Sequence, residues 1–334
     1  MAEKIVSPGV FTRENDLSFL PAGIGAIGAA IVGPTVKGPA GIPTLVTSYG
    51  EFQEKYGDVF KSGSNYYQYL TSHTVERYLQ FGGVATIVRI TGDSPSVATA
   101  SIATSSATTT TAGTALTLHT LGHGAILNSS GSIGSKQALG EGTKDNLRWE
   151  VRSVNEALGT FTLLIRRGDD TNSNKTILET WNNCSLDPNA TNYVAKVVGD
   201  SYDVIQGTGT ADPYVQNTGE YGNKSAYVRV SVQKQTVDYL DTNGNIRVAA
   251  ASASLPAAGS GSLGGAFGGG ADGNKVNAGA GSNFYENIAQ ADSQGYDATT
   301  LENVNGGKKY TDALTLLGNQ DFYDINMILA PGIN

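Results

Sequence analysis

Ala29-Ala30-Ile31-Val32-Gly33-Pro34 and Val84-Ala85-Thr86-Ile87-Val88-Arg89-Ile90 set the architecture of this chain. Each is a short, nearly unbroken apolar run, the pattern of a strand covered on both faces. The first ends at Gly33-Pro34, where proline has no N–H to offer a neighbouring strand. Between the two runs, Pro43-Thr44-Leu45-Val46 reads as a further short strand. Ser48 then opens a helix, with Glu51 three residues on to complete a capping box and Gly57 just past its end. Asn65 is placed to cap a second helix, in which Tyr66, Tyr69, Leu70, His73, Arg77, Tyr78 and Phe81 recur at helical spacing until Gly82-Gly83. Strand, helices and strand in this order predict a crossover unit of a parallel or mixed sheet.

Past residue 93 the rhythm changes. The stretch 96–118 is mostly Ser, Thr, Ala and Val and reads as a linker or an edge strand. Arg148-Trp149-Glu150-Val151-Arg152 and Thr160-Phe161-Thr162-Leu163-Leu164-Ile165-Arg166 flank Leu158-Gly159 as a hairpin. A third strand is expected over 175–181. A second hairpin is expected where 226–240 and 246–252 flank Asp241-Thr242-Asn243-Gly244, since Asn-Gly is a strong hairpin signal. Residues 257–282 have the composition of a flexible glycine-rich linker. After about 285 a helix over 310–318 and the strand Ile325-Asn326-Met327-Ile328-Leu329-Ala330 restore the α/β pattern. The expected fold class is α+β or α/β multidomain. An extended arm over 1–20 precedes a discontinuous α/β core of 21–92 plus 285–334. A β-rich insertion over 93–211, then a hairpin and linker over 212–284, interrupt that core. Because the chain stops just past a buried-type strand, it reads as a fragment whose core sheet is completed elsewhere.

The totals narrow the function classes. Charged residues make up 16% of the 334 and glycine numbers 43, against averages of about a quarter charged and about 7% glycine. A surface poor in charge suits a protein covered by copies of itself. The net charge of −8 opposes direct nucleic-acid binding, which needs basic patches. Cys184, the single cysteine, leaves no internal disulfide. The start, Met-Ala-Glu-Lys, has no signal-peptide features. Residues 17–33 are apolar, but Pro21 and several glycines make a poor span, and none is expected.

No motif in the sequence assembles a reaction centre, and no cofactor or metal is expected. The GxGxxG matches at Gly23–Gly28 and Gly259–Gly264 neither follow a strand nor open a helix. Gly219-Glu220-Tyr221-Gly222-Asn223-Lys224-Ser225 ends like a phosphate loop with the wrong glycine spacing. His119 and His123 have no third ligand at a typical spacing. Asp241-Thr242-Asn243-Gly244-Asn245 lacks the distal Glu of a calcium loop, and Arg167-Gly168-Asp169 is a charged turn after a strand. Cys184 has no histidine nearby in sequence and reads as a small buried hydrophobe.

Several blocks of sequence carry a resemblance. Ser7-Pro8-Gly9-Val10-Phe11, with Glu14 nearby, is followed by Ile31-Val32-Gly33-Pro34 and Lys37-Gly38-Pro39-Ala40-Gly41-Ile42-Pro43. Val46-Thr47-Ser48-Tyr49-Gly50-Glu51-Phe52, Tyr56-Gly57 and Phe81-Gly82-Gly83 come next, the last leading into Val88-Arg89-Ile90. Arg166-Arg167-Gly168-Asp169, then Ile177-Leu178-Glu179-Thr180-Trp181-Asn182-Asn183 and Ser185-Leu186-Asp187-Pro188 form a second group. Ile328-Leu329-Ala330-Pro331-Gly332 closes the series. In this order the blocks resemble the contractile tail-sheath proteins of myovirus-type bacteriophages, over nearly the whole chain. The C-terminal domain in which that family continues is not matched here.

The resemblance implies a structural subunit that polymerises with itself around a tail tube and contracts to drive the tube through the host envelope. It is made in the host cytoplasm and resides in the virion. Its implied partners are the tail tube protein and the baseplate and tail terminator proteins, without direct nucleic-acid contact or membrane insertion. Ser7, Pro8, Gly9, Val10, Phe11 and Glu14 are the implied inter-subunit arm, adding a strand to a neighbour's sheet. A sheath of a related contractile injection machine and a β-rich adhesin or carbohydrate-binding module are the other readings the residues leave open.

Overall fold

The computed structural model describes residues 28–62, 64–81, 83–105, 113–131, 133–134, 137–208, 210, 212–257, 265–273, 294–296 and 306–333. The arm residues Ser7, Pro8, Gly9, Val10, Phe11 and Glu14 lie outside the described residues. The same holds for the first GxGxxG match except Gly28 and for the whole of the second.

The described residues open with strand β1 (Ala29–Pro34), strand β2 (Thr44–Val46) and helix α1 (Tyr49–Tyr56). Strands β3 (Val59–Ser62) and β4 (Asn65–Gln68), helix α2 (Leu70–Phe81) and strand β5 (Ala85–Ile90) follow. The β-rich stretch holds β6 (Val97–Ala103), β7 (Thr114–His123), β8 (Leu147–Asn155), β9 (Thr160–Arg167) and β10 (Ile177–Ser185). A short helix α3 (Val194–Val198) then precedes β11 (Tyr202–Gln206), β12 (Tyr214–Thr218) and β13 (Val228–Val232). Helix α4 (Gly306–Leu317) and strand β14 (Met327–Leu329) come last. The fold is mixed α/β, mostly strands with few helices.

One four-stranded sheet runs β14-β1-β5-β2. β1 is parallel to both β14 and β5, and β2 is antiparallel to β5. Alternate side chains on a strand face opposite ways, and the packing follows that rule. Ala30, Val32, Val88 and Ile90 pack with Tyr310, Ala313 and Leu317 of α4. Ile31, Ala85, Ile87 and Val46 pack with Phe52 and Tyr56 of α1 and Val75 of α2. Helices therefore cover both faces, which is why β1 is buried at every position and reads as an unbroken apolar run.

The expected helix from Asn65 is corrected. Residues Asn65–Gln68 form β4, which pairs antiparallel with β3, Phe60 opposite Tyr67 and Lys61 opposite Tyr66. The tyrosine spacing fits either period over so short a span. Ring packing decides it, with Phe60 at 5.2 Å from Tyr69 and 6.3 Å from Tyr67 between centroids. Helix α2 starts at Leu70, whose N–H donates to Gln294 Oε1 at 2.6 Å. The capping box at Ser48 is also altered. Glu51 N–H donates to Ser48 Oγ at 3.2 Å, but the Glu51 carboxylate accepts from Thr47 N–H at 2.9 Å.

In the β-rich stretch, β10-β9-β8 and β13-β7-β6 are three-stranded sheets and β11-β12 is a two-stranded ribbon. Residues 97–103 and 114–123 are thus paired strands rather than a linker, and β7 is central in its sheet. The second expected hairpin shrinks to one bridge, Leu240 with Ile246. Residues 249–254 turn as a 3₁₀ helix, and Val228–Val232 pairs with β7 instead. That pairing buries Val228 and Val230 with Leu116 and Leu118 in the main core, a gain the exposed Val237 and Val248 could not supply locally.

The described part of the glycine-rich stretch, 265–273, is not a free linker. It bridges to β8 at Arg148–Ala266, to β6 at Thr99–Gly268 and to the residue before β6 at Ser96–Ala271, joining the two three-stranded sheets. Phe267, in its middle, is fully buried in the core that both sheets share.

Candidate assembly surface

The outer edge of β14 has no strand paired to it among the described residues, since β14 ends the sheet order. It is held on the inner side by register with β1, Ala29 opposite Met327 and Ile31 opposite Leu329. The approach is close because Gly28 has no side chain: its carbonyl accepts from Asn326 N–H at 2.7 Å. Met327 and Ile328 are exposed on this strand, as are Phe322 before it and Ile333 after it. An apolar edge with unpaired backbone groups is a template for another strand. At the opposite edge, Leu45 of β2 is exposed as well.

Arg89 ties this sheet to the β-rich stretch. Its side chain is fully buried although it sits on β5 between two apolar residues. The guanidinium donates to Thr35 O at 3.2 Å, Gly38 O at 3.0 Å and His123 O at 2.8 Å. It also forms an ion pair with Asp272 at 2.6 Å. Asp272 belongs to the 265–273 strip, so one buried cation gathers four chain segments. A charge inside an apolar strand was the only signal of this in the sequence.

A second buried charge group organises the turn after β9. Arg166 donates to both Asp170 oxygens at 2.7 Å and to Glu150 at 2.8 Å, and Lys175 pairs with Glu150 at 2.8 Å. Burial works against the Glu150 charge, but Lys175 and Arg166 outweigh it and hold the carboxyl below its usual range. In the adjoining Arg167-Gly168-Asp169 turn, Arg167 pairs with Asp169 of the same motif at 2.5 Å.

The other sequence candidates are not brought together. His123 Nδ1 accepts from Ala40 N–H at 3.3 Å; burial, then Arg89 and Arg229, pull this imidazole down to about 4. His119, on the same strand, is also pulled down to about 4 by burial and Arg229. Burial pushes the Cys184 thiol up to about 12. Asp241 Oδ1 accepts from the N–H groups of Asn243 and Asn245 at 2.8 Å each, closing its own turn. In the loop that resembles a phosphate cradle, Asp200 Oδ1 accepts from Glu220 N–H at 2.9 Å and Tyr221 N–H at 2.7 Å. Among the described residues, no group of three His, Cys, Asp or Glu is placed to hold a metal, and no helix is long and apolar enough to cross a membrane.

No family model matches the sequence, and no curated protein matches it. Among solved structures, the chain is similar to the sheath tail protein of Desulfitobacterium hafniense, at 11% identity and a TM-score of 0.38. That likeness covers 97% of this chain and 45% of the other. It is also similar to a sheath tail protein of Listeria innocua, at 10% identity and a TM-score of 0.29, covering 62% of this chain and 33% of that one. The chain thus spans less than half the length of either.

Proposed function

We propose that this chain is a structural subunit of a contractile tail sheath of the myovirus type, without catalytic activity. The observation that supports this most directly concerns two sequence blocks from opposite ends of the chain. Ile31-Val32-Gly33-Pro34 and Ile328-Leu329-Ala330-Pro331-Gly332 both belong to the ordered sheath resemblance, and their strands are parallel neighbours, with Ala30 opposite Ile328. On this reading, 21–92 and 285–334 form one discontinuous core into which 93–211 and 212–284 are inserted. The outer edge of β14 is where that sheet continues, with a strand of sheath protein.

Copies of the subunit stack around a tube protein between baseplate and terminator, linked by the arm at 1–20. A strand-adding arm keeps main-chain hydrogen bonds while side-chain contacts change, as two packings of one subunit require. Electron microscopy of the natural full-length protein, expressed alone, tests the proposal. Hollow helical tubes are expected, and a protein that stays monomeric at every concentration and salt tried is not a sheath.

A further inference from the structure

We infer that the Arg89–Asp272 pair is the lock of a hinge between the four-stranded sheet and the β-rich stretch, and that the strip 265–273 is the strap it fastens. The apolar groups on the two sides are separate. The sheet's helices and strands form two clusters of their own, while the β-rich strands share a third. Hydrogen bonds cross the seam between them. Tyr227 Oη donates to Glu54 at 2.5 Å, Lys37 Nζ donates to Asp145 O at 3.1 Å, and His123 N–H donates to Gly38 O at 2.9 Å. A seam that no shared apolar cluster spans permits relative motion more readily than a large apolar one.

Asp272 is the group that closes the seam. Besides the ion pair, its carbonyl accepts from Gly92 N–H at 2.8 Å, and Oδ2 accepts from Ala125 N–H at 3.4 Å. One residue thus grips the end of β5, the end of β7 and the buried guanidinium. The strap before Asp272 is anchored on the β-rich side. Asn128 and Gly270 exchange two hydrogen bonds of 2.8 Å, Ser129 N–H donates to Phe267 O at 2.9 Å, and Phe267 fills the core. Removing the Asp272 carboxylate therefore breaks the strap's hold on the guanidinium and on Ala125 without unseating the strap, and leaves the single main-chain bond to Gly92 as its link to the end of β5.

The test is amide hydrogen exchange on the full chain, comparing wild type with Asp272→Asn, which keeps size and one acceptor, and with Asp272→Ala. The hinge predicts at least tenfold faster exchange at Gly92, His123 and Ala125. Rates at Val88, Val151 and Leu163, inside the two cores, should stay within twofold. X-ray scattering should show a larger maximum dimension in both variants. Unchanged exchange at the seam overturns the lock. A uniform rise that includes Val88 and Leu163, or loss of folded signal by circular dichroism, also overturns it, because the pair is then a strut of a single cooperative body.

Discussion

Gly28 sits directly beneath the Asp324 carbonyl: a methyl group on its α-carbon would lie 2.0 Å from that oxygen. The turn before β14 is thereby pressed against the start of β1, and no other residue type fits without displacing backbone.

Gly28→Ala should therefore loosen β14 from β1, at a cost of about 1–3 kcal/mol. Urea denaturation and amide exchange at Leu329 provide the check. Gly50 is the control: it lies in α1, where an added methyl group would meet no other part of the chain within 4 Å, so Gly50→Ala should stabilise by about 0.5–1 kcal/mol.

Asp170→Ala should cost about 3–5 kcal/mol, since it strips Arg166 of a bidentate partner while the guanidinium stays buried. Chemical denaturation of the two proteins measures it. The same cluster makes the fold acid-sensitive through Glu150, whose carboxyl is held below its usual range. Its contribution is present above the unfolded value of about 4.3 and is lost as pH falls through the lower folded value.

His123 sets a different pH window. Its folded value, down to about 4, lies below an unfolded value of about 6.5. Between these the unfolded chain binds a proton that the folded chain refuses, so stability declines as pH drops across the window. His123→Asn keeps an acceptor for Ala40 N–H and should flatten that decline, by on the order of 2 kcal/mol. A residual slope should remain from His119. Thermal melts from pH 7.5 to 4.5 give the comparison.

Removing 1–20 from the full-length protein should leave its melting temperature nearly unchanged and abolish tube formation. Val10→Asp with Phe11→Asp should do the same, because an added strand must place alternate side chains in apolar pockets. Each main-chain hydrogen bond so lost is worth about 0.5–1.5 kcal/mol net, repeated at every subunit. A deletion that melts many degrees lower would show the segment to be part of the core. Normal melting with long tubes would show that subunits are linked by other surfaces.

The elements legible in the sequence are those whose signal is local. Apolar runs marked β1 and β5, Ser48 and Gly57 bracketed α1, and Leu158-Gly159 marked the β8–β9 turn. Hidden features depend on remote partners. Gln294, far along the chain, supplies the acceptor at the start of α2, and nothing near Leu70 signals that. The strap was invisible for a related reason. Small residues that read as linker are also those that can lie between β6 and β8 with the backbone close on both sides, as at Gly270, where an added methyl group would lie 2.6 Å from Gly124 O. For the candidate assembly surface, the exposed edge of β14 depends on the order of strands in the sheet, which no local pattern of residues reveals.

The pairing of β1 with β14 also sets an order of events during synthesis. β1 leaves the ribosome long before its partner, since Ala29 pairs with Met327, 298 positions further along (327 minus 29). At about 5–20 residues per second, that interval is roughly 15–60 s. The β-rich strands, whose partners are nearer in sequence, can finish folding within it. β1 meanwhile keeps one side unmatched, apolar at every position, and available to the first strand that reaches it. Crowded polysomes making this protein therefore present many copies of the same waiting edge, and the yield of correctly closed subunits should depend on how fast translation delivers Met327–Leu329.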